Sequence, residues 1–390
     1  MPQLHRRRLL LEGVLDLSST EGLSTIQRDD YKRRFYRIIN HFLPASEIDS
    51  SARSQTYSPP RLISLTYQHA LSDEARDNFL RAFFLSINLP IVTGDTGHDD
   101  GDLETLRASV FAFADFLLDN FFLPLKASTR KELQASPVFH SAIEKVQGGP
   151  QTLAGTPDRL SALRGACLVR DHHRCVISRS FDIFESQARM DRAGETNALD
   201  DDGNLLYQDP NRPEPLEVAH IIPHSLMNGD ANSELSPSKK AALAILNMFD
   251  TGVVCLIEGS DIDRPRNALT LTRRFHFLFG EFKVFFEPVS DSQAHTYRIH
   301  TFVSRYLLRD PALPLTRTLY LSENRTIDPP SSQLLALHCA IAHILHLSAA
   351  GEYIDKLLRE MEGQGVCAAD GSTELDRLLR LGLRGWSVST

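Results

Sequence analysis

The chain of 390 residues lacks the features that mark a disulfide-stapled, thiolate-zinc or membrane-spanning protein. It has only five cysteines, an odd number without a Cys-x-x-Cys pair, which argues against a disulfide framework and a four-thiolate zinc site. The longest apolar stretch, residues 110–125, is interrupted by Asp115 and Asp119, so no uncharged run reaches the roughly 18 residues of a membrane span. We therefore expect an intracellular protein with reduced cysteines and no membrane segment.

A general excess of positive charge is also lacking. The sequence contains 42 Lys and Arg residues against 50 Asp and Glu residues, which gives a formal net charge of −8. An acidic chain is a poor polyanion binder as a whole, so any contact with nucleic acid has to come from a local basic surface. Residues 263–309 offer one, because this segment holds eight Lys or Arg residues and only four Asp or Glu residues.

What the chain does contain is an ordinary globular composition, with 42% hydrophobic and 24% charged residues. This composition excludes a mainly disordered or fibrous protein. Apolar residues recur at helical spacing in the first 150 residues and again towards the C-terminus, so both ends are expected to be helical. The predicted helices span residues 27–44, 71–87, 102–123, 332–348, 353–361 and 374–381, and residues 148–150 form a candidate linker.

The middle of the chain mixes helix and strand patterns. One helix is predicted over residues 157–171 and another over residues 236–249, where Ser236 can cap the helix and Pro237 fits its first turn. Residues 186–215, rich in Asp, Asn, Gly and Pro, are expected to form a solvated insertion. Short strands are predicted over residues 174–178, 216–222, 252–257, 268–272, 282–288 and 295–303.

Two histidine-bearing segments stand out in this middle region. In the first, a short apolar strand ends at His220, just before the turn at Pro223. In the second, Asn267 precedes a short strand, and a short helix carrying His276 follows. Thr272 can cap that helix and Gly280 can end it, so the helix has barely two turns. The pattern therefore sets two imidazoles and one amide on two strands and one short helix.

From about residue 174 to residue 288, the sequence resembles the HNH, or ββα-metal, nucleases. The closest pattern is that of the HNH branch common among fungal predicted proteins. Four of its elements occur here in the same order, namely a Cys-Val-Ile-Ser strand, an Ala-His-Ile-Ile-Pro strand, an Asn-Ala-Leu-Thr-Leu strand and a His-x-x-Phe-Gly helix. They lie at Cys175–Ser178, Ala219–Pro223, Asn267–Leu271 and His276–Gly280.

The resemblance implies an α+β fold with a small ββα-metal core and added strands, flanked by helical regions. We accordingly divide the chain into three parts. Residues 1–150 are expected to be a helical N-terminal region. Residues 151–310 are expected to be a nuclease-like HNH domain with an acidic insertion near residues 186–215. Residues 311–390 are expected to be a C-terminal helical region.

The resemblance also implies a metal-dependent endonuclease that hydrolyses nucleic-acid phosphodiesters, with DNA favoured over RNA. His220 takes the role of general base, which suits an imidazole that titrates near neutral pH. Asn267 is implied to orient that imidazole or to bind the metal ion, and His276 to ligate the ion. Arg273 and Arg274, at the start of the short helix, are expected to bind phosphate together with backbone N–H groups.

Two departures from the family pattern remove potential metal ligands. Ala219 occupies the position before the base that often ligates the metal, and Gly280 occupies the position of a second helix histidine. Glu217 shares a strand face with residue 219 and could substitute as a ligand. His224 is either another ligand or a plain turn residue.

The reduced ligand set suits a water-rich Mg²⁺ or Mn²⁺ site better than a tight Zn²⁺ site. It also leaves a second interpretation open, in which the chain is a catalytically degenerate HNH scaffold that binds nucleic acid or protein. The helical flanks are surfaces through which such a scaffold could recruit a protein partner.

Overall fold

A computed structural model describes seven stretches of the chain and shows the predicted α+β fold. It divides into two compact units, each built from discontinuous segments. The first comprises residues 1–128, 225–256 and 340–390, and the second comprises residues 129–224 and 257–339. The three-part division made from the sequence stays a prediction. The described stretches are residues 23–45, 53–89, 103–130, 156–227, 236–289, 293–322 and 326–362.

Three helices of the first unit begin where the sequence supplies a cap or a proline. Helix α1 (Thr25–Phe42) begins at Ser24, whose side chain and that of Gln27 form a reciprocal capping box. Phe35, on the apolar face of α1, is fully buried. Helices α2 (Pro59–Gln68) and α3 (Asp73–Ser86) follow. The sequence analysis predicted no helix here, where residues 50–60 are rich in Ser and Pro, but proline is tolerated in a first helical turn.

Most of a long helical segment, up to residue 128, also belongs to the first unit. It consists of a 3₁₀ turn (Leu103–Leu106), α4 (Arg107–Leu117), a π-helical turn (Leu118–Phe122) and α5 (Leu123–Arg130). The helical segment of residues 103–129 is long and apolar enough to cross a membrane. The helices of residues 332–347 and 350–361 meet the same criterion together, although they are bent by 82° relative to each other. Most of the apolar window in residues 103–129 is buried, as in the core helix of a soluble protein. The expectation of no membrane segment stays a prediction.

Four further helices confirm three expectations and overturn one. Helix α8 (Pro237–Leu246) begins at Ser236, whose side chain accepts the Lys239 N–H as predicted. The strand predicted over residues 252–257 is wrong, because Val253–Ile257 form helix α9. Helices α11 (Ser332–Leu347) and α12 (Ala350–Glu362) confirm two C-terminal predictions. The helix predicted over residues 374–381 and the linker at residues 148–150 lie outside the described residues.

The second unit contains a two-stranded ribbon followed directly by a short helix. Strand β1 (Leu216–His220) pairs antiparallel with β2 (Ala268–Thr272), with His220 opposite Ala268. Helix α10 (Arg273–Gly280) starts at the next residue, where the Thr272 hydroxyl accepts the Phe275 N–H. Both strands were predicted, and so were the cap and the end of the helix. This strand–strand–helix arrangement carries the histidines that the sequence singled out.

A helix supports this ribbon from one side. Helix α6 (Thr156–Arg170) contributes Leu163 and Cys167 to a buried cluster with Val218 of β1 and Ala268 of β2. A separate antiparallel sheet has the order β3-β4-β5, made of Val284–Pro288, Thr296–Thr301 and Leu315–Thr318. Strands β3 and β4 were predicted, whereas β5 was not.

Two further expectations for this unit need correction. Residues 174–178 are not a strand, because Arg174 makes only an isolated bridge to Phe181 and a turn follows. The acidic stretch is largely exposed, as expected, but it contains regular structure, since helix α7 (Ile183–Ala193) overlaps it. Within the stretch, Asp200 and Asp209 accept hydrogen bonds of 2.7 Å and 2.6 Å from the Arg174 guanidinium. Acidic side chains that looked like a solvated charge run thus serve as partners for a buried arginine.

Candidate active site

The histidine predicted as general base stands at the end of β1, beside a carboxylate from a distant segment. His220 Nε2 lies 3.3 Å from Asp263 Oδ1. Asp263 is the last residue of a 3₁₀ helix, Gly259–Asp263. The two side chains are 4% and 2% exposed. Sequence reasoning missed this pair, since nothing in the local pattern around Asp263 marks it as a partner of a residue 43 positions earlier.

Asp263 has two further partners. His224 Nδ1 lies 2.7 Å from the same oxygen that faces His220, and Arg159 Nε lies 3.1 Å from the other oxygen. Burial alone would raise the pKa of the Asp263 carboxyl, but hydrogen bonds from His220 and His224 outweigh it and hold the pKa below its ordinary value. The carboxylate is therefore ionised at neutral pH. We call His220, His224 and Asp263 the Asp263 cluster.

Asn267 fixes the main chain on both sides of this cluster. Its Oδ1 accepts the Ile222 N–H at 2.9 Å, and its Nδ2 donates to the carbonyl oxygens of Ile222 and Ile262 at 2.9 Å each. Ile222 comes two residues after His220, and Ile262 immediately precedes Asp263. Asn267 is fully buried, and these contacts to main-chain groups occupy its amide. Its predicted roles, to orient the imidazole directly or to bind the ion, stay predictions.

The two other predicted ligands lie together. Helix α10 brings His276 Nδ1 to 2.7 Å from Glu217 Oε2 on β1. This hydrogen bond is the main cause that lowers the pKa of Glu217, with smaller contributions from the positive charges of Arg273 and Arg164. An ionised carboxylate next to an imidazole is a donor set that a divalent ion accepts. We call these residues the Glu217–His276 pair.

The pleat of β1 separates the two sets of residues. Glu217 and His220 are three residues apart, and side chains alternate between the faces of a strand, so the two point to opposite faces. Among the described residues, the Asp263 cluster forms a group of three whose ligand atoms all lie within 4.8 Å of one another and could hold a metal ion. The strand thus presents two different candidate metal sites, one on each face.

The positions where family ligands are missing are both closed. Ala219 is buried, and its side chain carries no donor atom. At Gly280, a Cβ atom would lie 3.4 Å from the Thr129 Cβ, and the Thr129 hydroxyl already donates to the Gly280 carbonyl at 2.8 Å. A larger side chain at residue 280 would therefore have to displace Thr129.

The arginines predicted to bind phosphate are exposed at the first turn of α10. Arg274 donates to the main-chain carbonyl of Asp310, and its guanidinium lies over the Phe275 ring. Arg273 contributes positive charge near Glu217. Both side chains stand where the backbone N–H groups of the helix start, an arrangement that favours anions. Their role in binding phosphate stays a prediction.

Comparison with known proteins supports the resemblance. Residues 175–287 match the family described as HNH endonuclease, and this match covers under a third of the chain. No curated protein and no solved structure matches the chain significantly. The matched segment contains β1, β2, α10 and most of β3, so the family and the ββα arrangement coincide. The chain is thus an HNH-domain protein, and the match supports a nuclease-like function in general.

Proposed function

We propose that this protein is a metal-dependent nuclease that hydrolyses nucleic-acid phosphodiesters, with DNA the favoured substrate and His220 the general base. The observation that carries the proposal is the Glu217–His276 pair. Its 2.7 Å contact joins strand and helix of the ββα unit, three residues from the histidine at the end of the same strand. A carboxylate and an imidazole that offer ligands to a metal ion, together with a second imidazole at the end of the same strand, are parts that metal-assisted hydrolysis uses.

The donor set of the pair fits a hydrated ion. It offers one carboxylate, 23% exposed, and one imidazole, so water would complete the coordination. That composition suits Mg²⁺ or Mn²⁺, which keep several waters, better than Zn²⁺. When bound there, the ion would stabilise negative charge on the phosphate and on the leaving oxygen.

The protein's own groups supply the remaining steps. His220 in its neutral form takes a proton from the attacking water. Arg273 and Arg274 bind the phosphate and neutralise part of its charge. Asn267 keeps the segment after His220 in place through the Ile222 main chain.

Cleavage of supercoiled plasmid by the full-length protein tests this proposal. We expect nicking that requires Mg²⁺ or Mn²⁺, stops with a chelator, and falls about 10²- to 10⁴-fold in a His220→Ala variant. The matched control is His300→Ala, which removes a histidine of β4 that pairs with Glu287. A labelled RNA of the same sequence shows whether DNA is favoured. Undiminished cleavage by the His220→Ala variant would refute the assignment of the base.

A catalytically degenerate scaffold is the second candidate function. The closed positions at Ala219 and Gly280 favour it, and so does the low exposure of the His220 side chain, 4%. Such a protein would bind DNA in a salt-sensitive way without cleaving it, and Mn²⁺ titration would give no heat. Metal-dependent cleavage would exclude this candidate.

A further inference from the structure

The Asp263 carboxylate lies beside the proposed base and is at hydrogen-bond distance from three side chains. One oxygen faces His220 at 3.3 Å and His224 at 2.7 Å, and the other faces Arg159 at 3.1 Å. The carboxylate side chain is only 2% exposed. A buried carboxylate without such partners would be strongly destabilised by desolvation. The surrounding donors therefore hold it as an anion in one position.

Arg159 brings a positive charge to one oxygen of Asp263, and the two histidines face the other. A neutral imidazole can donate one N–H to that oxygen. A carboxylate that stays ionised only accepts hydrogen bonds. The nitrogen of His220 that faces it, Nε2, consequently carries the ring proton, and the lone pair of the neutral ring lies on Nδ1.

Asn267 fixes the backbone next to both His220 and Asp263. Asn267 holds Ile222 and Ile262, and these residues flank the segments that carry His220 and Asp263. An imidazole and a carboxylate from distant parts of the chain thus keep their relative placement. Such placement by main-chain hydrogen bonds is what a fixed ring orientation requires.

We propose that Asp263 is the positioning residue of His220, a step that rests on the proposed function. It holds the imidazole as the Nε2–H tautomer and presents Nδ1 to the attacking water. In the reaction, a water O–H bond breaks and its proton binds Nδ1, while the water oxygen bonds phosphorus and the P–O bond to the leaving oxygen breaks. The leaving oxygen takes a proton from solvent. Asp263 remains a carboxylate and stabilises the imidazolium.

His224 and Arg159 are auxiliary in this arrangement. His224 shares the oxygen that faces His220, so it competes for that acceptor, and Arg159 donates to the other oxygen. The same three ligand atoms could instead receive a metal ion, which would make His220 a ligand and remove it as base. The experiment has to separate these two roles.

The main test compares Asp263→Asn with Asp261→Asn in the full chain. Asp261 lies on the same 3₁₀ helix but pairs with Arg264 and Arg266, so it serves as the matched control. We expect Asp263→Asn to lower kcat about 100-fold, within the range that orienting an imidazole contributes. The acid limb of its pH–rate profile should move to lower pH, because the imidazolium loses its anionic neighbour. Asp263→Glu should restore part of the rate.

A metal titration and a tautomer measurement make the test decisive. Mn²⁺ affinity of Asp263→Asn, measured by calorimetry, should equal that of the unaltered protein. Long-range ¹H–¹⁵N spectra of the unaltered protein, with the His220 signal assigned by its loss in His220→Gln, should show the Nε2–H tautomer. This last readout needs neither activity nor a folded Asp263 variant.

Each other outcome overturns the inference. An unchanged rate and pH profile in Asp263→Asn would remove the positioning role, and loss of Mn²⁺ binding would make Asp263 a ligand. An Nδ1–H tautomer for His220 would contradict the assignment directly. Absence of cleavage by the unaltered protein would refute the proposed function instead, and the tautomer spectrum would still decide the placement of the proton.

Discussion

The two histidine sites on opposite faces of β1 differ in exposure and in charge balance. In the Asp263 cluster, a carboxylate of 2% exposure meets Arg159 and two imidazoles. In the Glu217–His276 pair, a carboxylate of 23% exposure meets one imidazole at hydrogen-bond distance. Three protein side chains lie at hydrogen-bond distance from the first carboxylate, which suits holding a ring. Solvent reaches the second, which suits a hydrated divalent ion.

This contrast shows that closeness in the sequence does not give two residues the same chemical role. Glu217 and His220 are three residues apart, yet strand alternation gives them different surroundings. Glu217 gains a partner from the following helix, and His220 gains one from a 3₁₀ segment, where the Asp263 carboxylate also pairs with Arg159 of α6. Three variants are designed to break or sharpen the distinction.

The largest effect is expected from removal of the helix histidine. His276→Ala should reduce metal-dependent cleavage by about 10² or more, because it removes one of the two proposed protein ligands of the metal ion. Mn²⁺ affinity should fall at least about tenfold, measured by calorimetry. His224→Ala should leave Mn²⁺ affinity within about twofold. The opposite ranking of the two variants would move the ion to the Asp263 cluster.

A smaller effect, on stability, is expected from Asn267→Ala. The change leaves the buried N–H and carbonyl of Ile222 and the carbonyl of Ile262 without their partner. We expect a loss of about 2–4 kcal/mol in the free energy of unfolding, measured in urea, since each unsatisfied buried group costs about 1–3 kcal/mol.

Asn197→Ala is the control for that change. Asn197 is exposed and donates only to the Ala193 carbonyl, so its loss should cost within about 0.5 kcal/mol. Equal stability of the two variants would show that the amide of Asn267 does not hold the Asp263 cluster together.

The smallest effect concerns pH. The folded pKa of Glu217 lies below its ordinary value of 4.5, so its contribution to stability is present above that value and is lost as pH falls through the lower folded pKa. The difference in thermal midpoint between the unaltered protein and Glu217→Gln should therefore shrink as pH falls below 4.5. Glu258→Gln, which changes an exposed glutamate, should show no such trend. A difference that stays constant down to about pH 3 would contradict an ionic contribution from the pair.

Local patterns explain why much of the ββα unit could be predicted. The alternation at residues 268–272, the cap at Thr272 and the end at Gly280 act within a few residues, and the structure confirms each. The strand predicted over residues 252–257 is wrong, because a short apolar run fits a buried helix as well as a strand and the local pattern does not distinguish the two. The acidic stretch was misjudged because its arginine partner, Arg174, lies outside it.

By itself, the sequence determined the ribbon, the short helix and the residue types from which chemistry could be built, since propensity, capping and strand alternation are encoded in neighbouring residues. The tertiary structure alone decided which side chains meet. Asp263 reaches His220, and Glu217 reaches His276, only because strand pairing and helix packing close loops of 43 and 59 residues. Contacts between residues so far apart in the sequence depend on how the strands and helices of the unit pack, and no local sequence pattern predicts them.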